Sequence, residues 1–164
     1  MKKIEIEQKY LYKYRPDQEL ECVMHSVVHR KYLSLNPEVR INRRIFDCGE
    51  ERYHLTIKTG DYFAREEIKI RLTRIEYEEI SQLIPFEDIV IEVFEYKLDQ
   101  THLISFKECI NVDVSFAEIE YADQKDFDMF AGTVARKDYL AEEVTWNPNY
   151  YMKNIWERKN ARGR

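Results

Sequence analysis

From Ile4 to Tyr10 the chain alternates apolar and charged side chains, and Glu5, Glu7 and Lys9 form a Glu-x-Glu-x-Lys run. Successive side chains of a β-strand point to opposite faces, so this spacing predicts a strand with Glu5, Glu7 and Lys9 on one side and Ile4, Ile6 and Tyr10 on the other. Downstream, Phe116-Ala117-Glu118-Ile119-Glu120-Tyr121 repeats the paired carboxylates, with Ala117, Ile119 and Tyr121 turned away from them. If the two strands converge, four carboxylates converge with them. Such a cluster repels itself unless cations or protons relieve it, which predicts a divalent metal site or strongly shifted titrations. The plainer alternative is a pair of half-buried strands with wetted outer faces.

The chain has 164 residues, enough for one domain with a real core. Charged residues make up 35% of it, but aromatics reach 13%, so the composition is that of an ordered protein rather than a disordered one. A formal charge of −5 argues against general nucleic-acid binding. No apolar run is long enough to span a membrane, and Met1-Lys2-Lys3 leads into Glu5 and Glu7 rather than a hydrophobic signal core. Cys22, Cys48 and Cys109 are odd in number and widely spaced, which suits free thiols in a reducing compartment. The expected location is the cytoplasm.

Pro16-Asp17 and the acidic Glu19 and Glu21 predict a helix carrying Leu20, Val23, Met24, Val27 and Val28 on its apolar side. Strands are expected at Tyr32 to Leu35, Val39 to Ile45, Tyr53 to Lys58 and Phe63 to Leu72, separated by Asn36-Pro37, Asp47-Cys48-Gly49 and Thr59-Gly60-Asp61. These short connections imply antiparallel neighbours. A helix from about Glu76 to Ile84 ends at Pro85, and three further strands lie near Ile89–Tyr96, Leu103–Ile110 and Val114–Tyr121. From Gln124 the pattern is helical again, with Phe127, Phe130 and Val134 sharing a face, and the apolar residues of Tyr150 to Trp156 are expected to pack on the sheet. Residues 1–157 are read as one domain and 158–164 as a basic, solvated tail.

The same division of faces recurs in strand after strand: Arg40, Asn42 and Arg44; His54, Thr56 and Lys58; Arg65, Glu67, Lys69 and Arg71. In a curved antiparallel sheet these faces point outward to water or inward to a lumen, and periodicity alone favours the wetted outer face. An inward arrangement has a definite chemical use. Carboxylates hold Mg2+ or Mn2+ through oxygen, while lysines and arginines neutralise phosphate oxygens.

Glu5, Glu7 and Lys9 resemble the signature of the CYTH superfamily, the triphosphate tunnel metalloenzymes, and further segments follow in that family's order. Arg30-Lys31-Tyr32-Leu33 is similar to its Gln-Gly-Tyr-Leu strand with two positions changed. Val39-Arg40-Ile41-Asn42 resembles its Arg-x-Arg strand, Leu55-Thr56-Ile57-Lys58 its Leu-Thr-x-Lys strand, and Arg65-Glu66-Glu67 the start of its acidic fifth strand. Ala117-Glu118-Ile119-Glu120 is similar to its last strand and Glu143-Val144-Thr145 to a Glu-Val-Thr near its C-terminus. The resemblance implies a mainly β (α+β) fold, an eight-stranded antiparallel barrel whose charged residues line a tunnel, with helices packed outside. It also reverses the pattern-only preference for outward charges.

The resemblance further implies Mg2+- or Mn2+-dependent hydrolysis of a triphosphate, inorganic or organic. Glu5, Glu7, Glu118 and Glu120 are implied metal ligands or orient metal-bound water, with Glu67 supporting the acidic side. Lys9, Arg40, Lys58 and Arg65 are implied to hold phosphate oxygens. Asn42 replaces a second arginine, and Lys69 stands where the fifth strand usually has another Glu. The alignment places Glu92 and Phe94 at the sixth strand's cationic positions and Ser105 at the seventh strand's Asp. Lys69, Lys97 or Lys107 are candidates to restore the lost charge, and Lys69 is counted among the substrate-binding residues. These departures keep a second reading in play, a catalytically impaired polyphosphate- or nucleotide-binding module, and a third, adenylyl cyclisation, for which no residue marks a base pocket. The expected partner is a triphosphate-containing small molecule, with a homodimer allowed and neither membrane nor nucleic acid involved.

Other constellations are weaker. His25 and His29 fall at i, i+4 in the expected first helix without the acidic partner of a His-Glu-x-x-His site. His54 is expected to face the tunnel beside Thr56. Tyr10, Tyr12, Tyr14, Tyr150 and Tyr151 read as packing residues with polar tips. No Gly-rich phosphate loop and no Ser-His-Asp order is present.

Overall fold

The structure, a computed structural model, describes residues 2–161. Its strands are β1 (Lys2–Tyr12), β2 (Cys22–Leu35), β3 (Glu38–Phe46), β4 (Glu51–Gly60), β5 (Ala64–Leu72), β6 (Ile89–Lys97), β7 (Leu103–Cys109), β8 (Ser115–Tyr121) and β9 (Leu140–Glu143). The helices are α1 (Arg74–Gln82), α2 (Gln124–Val134) and α3 (Met152–Ala161). Neighbours run β5-β4-β3-β2-β6-β7-β8-β1, and a further β1–β5 pairing closes the circle. All pairings are antiparallel. The result is an eight-stranded barrel with β9 added on β1.

Strand β1 makes the closure. Lys2 to Ile6 pair with β5, and Ile6 to Tyr10 pair with β8, with Lys9 opposite Glu118 and Glu7 opposite Glu120. Closure leaves no free barrel edge and forces the alternating residues of every strand to face either the lumen or the outside.

The segment expected to open as a helix after Pro16 is instead the loop leading into β2, which runs unbroken from Cys22 to Leu35. Leu20, Val23, Met24, Val27 and Val28 match a helical spacing, but the β-branched valines also suit a pleated surface. Strand β2 pairs with β3 on one side and β6 on the other, and this ladder overrides the local helical period. His25 and His29 are therefore strand residues. His25 lies between Asp47 (2.6 Å) and Glu92 (2.8 Å), and His29 contacts Asp88 (3.1 Å).

The helices cover the barrel's outside and one end. Helix α1 starts in a Thr73–Glu76 capping box and lays Tyr77 against Tyr53. Helix α2 starts on the Asp123 cap and packs Phe127 against Tyr121 and Phe63. In α3, Ile155 and Trp156 are buried with Tyr32, and the helix continues through Arg158 and Lys159 to Ala161. The remaining tail, 162–164, lies outside the described residues.

Candidate functional site

The charged faces of β1, β3, β4, β5 and β8 turn inward. A cavity of about 860 Å³ fills the barrel and is lined by Lys3, Glu5, Arg40, Lys58, Glu67, Lys69, Glu118 and Glu120, among others. It narrows to a chamber of about 30 Å³, with room for about two waters, where Glu7, Lys9, Glu38 and Arg65 join Arg30 and Lys107 in the wall. Tyr62, Tyr151 and Met152 line this end, and the rings of Tyr62 and Tyr151 stack at 3.4 Å. All ten residues singled out from the sequence thus share one lumen. The expectation from periodicity alone, an outward charged face, is corrected by barrel closure.

Every singled-out carboxylate is held by a cation. Lys58 bonds Glu5 and approaches Glu67 at 3.3 Å. Arg65 donates to Glu7 at 2.8 Å and to Glu38 at 3.1 Å. Arg40 donates to the other oxygen of Glu38 at 2.9 Å. Lys107 bonds Glu118, with Lys9 3.8 Å from the second oxygen, and Lys3 bonds Glu120 at 2.6 Å. Glu5, Glu7, Lys9, Arg30, Glu38, Lys58, Arg65 and Glu67 are each at most 8% exposed.

Titration reflects this crowding. Burial opposes the charge of Glu118, but Lys107 and Lys9 outweigh it and hold the carboxyl well below its usual range. The same contest, won by Arg40, Arg65, Lys58 and Arg30, lowers Glu38, and Lys58 with Lys3 lowers Glu67. Burial brings the Lys9 ammonium down to about 8, with Glu118 and Glu7 offsetting it only in part. The Nε atoms of Arg40 and Arg65 and the Oγ1 of Thr56 are buried without a hydrogen-bond partner. Unsatisfied buried donors cost free energy and mark places where a ligand oxygen or water belongs.

The sixth strand corrects the alignment. Ile91, Val93 and Glu95, not Glu92 and Phe94, line the lumen, one residue out of the expected register. Glu92 and Phe94 face the outside, where both meet His25. The register follows from pairing, since β2 sets Val28 opposite Ile91 and Ser26 opposite Val93. Strand β6 therefore contributes no cation to the lumen. Its two neighbours do, through Arg30 on β2 and Lys107 on β7. Lys69 also faces the lumen, whereas Lys97 is exposed at the end of β6.

Arg30 and Glu38 were not singled out from the sequence. Glu38 shares the parity of Arg40, so extending that face by one step finds it. Arg30 shares the parity of Tyr32, a signal masked by reading the preceding residues as helix. Among the described residues, no three His, Cys, Asp or Glu side chains are placed to hold a metal ion. The carboxylates offer hard oxygen donors that suit a divalent cation in kind, but their oxygens are engaged by lysine and arginine.

No protein-family model matches the chain, and no curated protein matches its sequence. Solved structures do. PH1819 protein from Pyrococcus horikoshii OT3 superposes with a TM-score of 0.70 at 19% identity, covering 94% of this chain and 99% of that one. The inorganic triphosphatase NE1496 superposes with a TM-score of 0.60 at 20% identity, covering 92% and 96%. A conserved hypothetical protein from Pyrococcus furiosus gives 0.61 at 14% identity, covering 92% and 99%. The closed eight-stranded barrel, its inward charges and these superpositions together give the chain the fold of these proteins, an antiparallel tunnel barrel with a charged lumen.

Proposed function

We propose that this protein hydrolyses the terminal phosphoanhydride of a triphosphate, inorganic or organic, held in the lumen with Mg2+ or Mn2+ in a cytoplasmic setting. The observation that carries the reading is the buried layer of interleaved cations and carboxylates. Burying charges is a poor way to stabilise a fold, because desolvation offsets most of the attraction, so such a layer is better explained by a charged ligand. Likeness in fold to an inorganic triphosphatase supports the same class of substrate.

Lys9, Arg40, Lys58, Arg65 and Lys69 take phosphate oxygens, and the partnerless Nε atoms of Arg40 and Arg65 add donors already in place. Once those cations turn to phosphate, Glu5 and Glu7 would be freed of Lys58 and Arg65, and with Glu118 and Glu120, which keep Lys107 and Lys3, and Glu67 behind them, they would hold a divalent cation. When bound, that ion would supply charge neutralisation at the phosphoryl oxygens. A carboxylate of β1 or β8 orients a water for attack on the terminal phosphorus. The bond from that phosphorus to the bridging oxygen breaks, orthophosphate leaves, and Lys58 with its neighbours absorbs the charge on the departing oxygen. The water's proton passes to the orienting carboxylate and on to solvent.

The test is phosphate release from tripolyphosphate and ATP with Mg2+ or Mn2+. Turnover is expected in the wild type and a loss of about a hundredfold or more in Glu5→Gln and Glu118→Gln. A second reading, binding without turnover, is favoured by Ile91 and Val93 in the lumen where β6 has no cation. Metal-dependent calorimetric binding of tripolyphosphate with no phosphate release selects it.

A further inference from the structure

The inner lumen and the open mouth differ in how their cations are used. Inside, the carboxylates are ion-paired as described. At the mouth, Arg44 is engaged by Glu95 at 2.8 Å, Arg52 by Glu50 at 2.7 Å and Lys3 by Glu120 at 2.6 Å. Those pairs commit the acids of the mouth to cations of their own. His54, Lys69 and Arg71 also line it, and among the described residues none of the three has an ion pair or side-chain hydrogen bond. They sit together by register: His54 is opposite Arg71 and Thr56 opposite Lys69 on the paired strands β4 and β5. Thr56, 1% exposed, lines the same cavity and leaves its Oγ1 without a partner. Two cations, an imidazole and a buried hydroxyl thus face one space without an ion pair or hydrogen bond among them, and Glu67 and Glu50 act on Lys69 and Arg71 only through longer-range charge.

Resting on the reading of the lumen as a triphosphate site, we propose that this wall of β4 and β5 is a separate anion subsite for phosphoryl groups beyond the third, so that linear polyphosphates longer than tripolyphosphate are preferred ligands. Lys69 joins the two parts of the track, and His54 and Arg71 extend it toward the opening. A chain entering from the mouth places its terminal phosphoryl groups among Arg40, Lys58 and Arg65 while its trailing groups meet His54 and Arg71. An organic triphosphate presents a neutral sugar or ring there instead and gains nothing from the Arg71 guanidinium or from the imidazole of His54, which burial, Lys69 and Arg71 keep below its ordinary pKa and which offers a hydrogen bond rather than a charge.

The experiment is calorimetric titration of the wild type and of the double variant His54→Ala, Arg71→Ala with tripolyphosphate, tetrapolyphosphate, a longer polyphosphate and ATP, all at one fixed salt concentration. The wild type is expected to bind the longer chains about tenfold more tightly than tripolyphosphate, on the scale of one charge-assisted contact. The double variant is expected to erase that difference while binding tripolyphosphate and ATP as the wild type does. Equal affinity of the wild type for short and long chains, or equal weakening of every ligand in the variant, overturns the subsite and leaves the triphosphate reading standing. If the wild type binds none of the phosphates, the triphosphate reading fails and the subsite with it. Near-ultraviolet circular dichroism of the variant separates a lost contact from a lost fold.

Discussion

Glu38 shows how much a single side chain organises. Its two oxygens bind different arginines, Arg40 at 2.9 Å and Arg65 at 3.1 Å, so it holds two guanidinium groups side by side in the narrow end of the lumen. Removing one member of a buried charged set leaves the others uncompensated, at a cost of about 3–5 kcal/mol. Glu38→Ala is therefore expected to lower the midpoint of urea unfolding markedly, with tripolyphosphate restoring much of it by supplying the missing anion. A variant as stable as the wild type would show that the two arginines do not depend on Glu38. Lys58 raises the complementary case, since it serves both Glu5 and Glu67. Lys58→Ala is expected to weaken tripolyphosphate binding by about tenfold or more, as expected for one lost charge-assisted bond. Calorimetry on folded variant protein checks this directly.

Among the elements, α2 is anchored by an ionic clasp. His102, in the turn between β6 and β7, contacts Asp99 through Nδ1 at 2.8 Å and Asp126 of α2 through Nε2 at 2.9 Å, and its ring stacks on Phe130 at 3.9 Å. Burial opposes protonation of His102, but its hydrogen bonds to the Asp99 and Asp126 carboxylates outweigh it and raise its pKa. A raised pKa means that the clasp's stability is fully present below about pH 6.5, the unfolded value, and is lost as pH rises through the higher folded value. Asp126 is shifted the other way, chiefly by the Ala122 amide, so its share is present above the unfolded carboxylate value and is lost on acidification. The stability difference between wild type and His102→Gln is thus expected to be largest in mildly acidic solution and to shrink toward alkaline pH. Melting temperatures across that range measure it; a difference independent of pH would mean that His102 acts through packing alone. The α2 cap is independent of this titration at neutral pH. Asp123→Ala removes the acceptor for the Asp126 amide and is expected to cost about 1 kcal/mol.

For the whole molecule, the barrel is a closed circuit in which the lumen's charges come from all parts of the chain, so a ligand that bridges them stabilises every strand at once. Tripolyphosphate at about a hundred times its Kd is expected to add about 2.7 kcal/mol to the unfolding free energy, and for a chain of this size a rise in melting temperature of roughly 5–10 °C. Absence of any shift at saturating ligand would contradict lumen binding. The alternation of Glu5, Glu7 and Lys9 against Ile4, Ile6 and Tyr10, and its recurrence through Arg40, Lys58, Glu67 and Glu118, was readable without coordinates because a strand's period of two is local. So were α1, expected from about Glu76 to the stop at Pro85, and α2, with Phe127, Phe130 and Val134 on one face, because those signals lie within one short segment. The stretch from Leu20 to Val28 was not, because its spacing satisfies two periods and only pairing with β3 and β6 selects the strand. Likewise Val93 rather than Phe94 faces the lumen because β2 and β7 set the register, and a shift of one residue exchanges the faces of the whole strand. Local sequence thus determined which side chains share a face. Whether that face looks inward or outward, which cation each carboxylate meets, and which basic groups stay free were decided only when β1 paired with both β5 and β8, because closure and register are properties of strands distant in the chain.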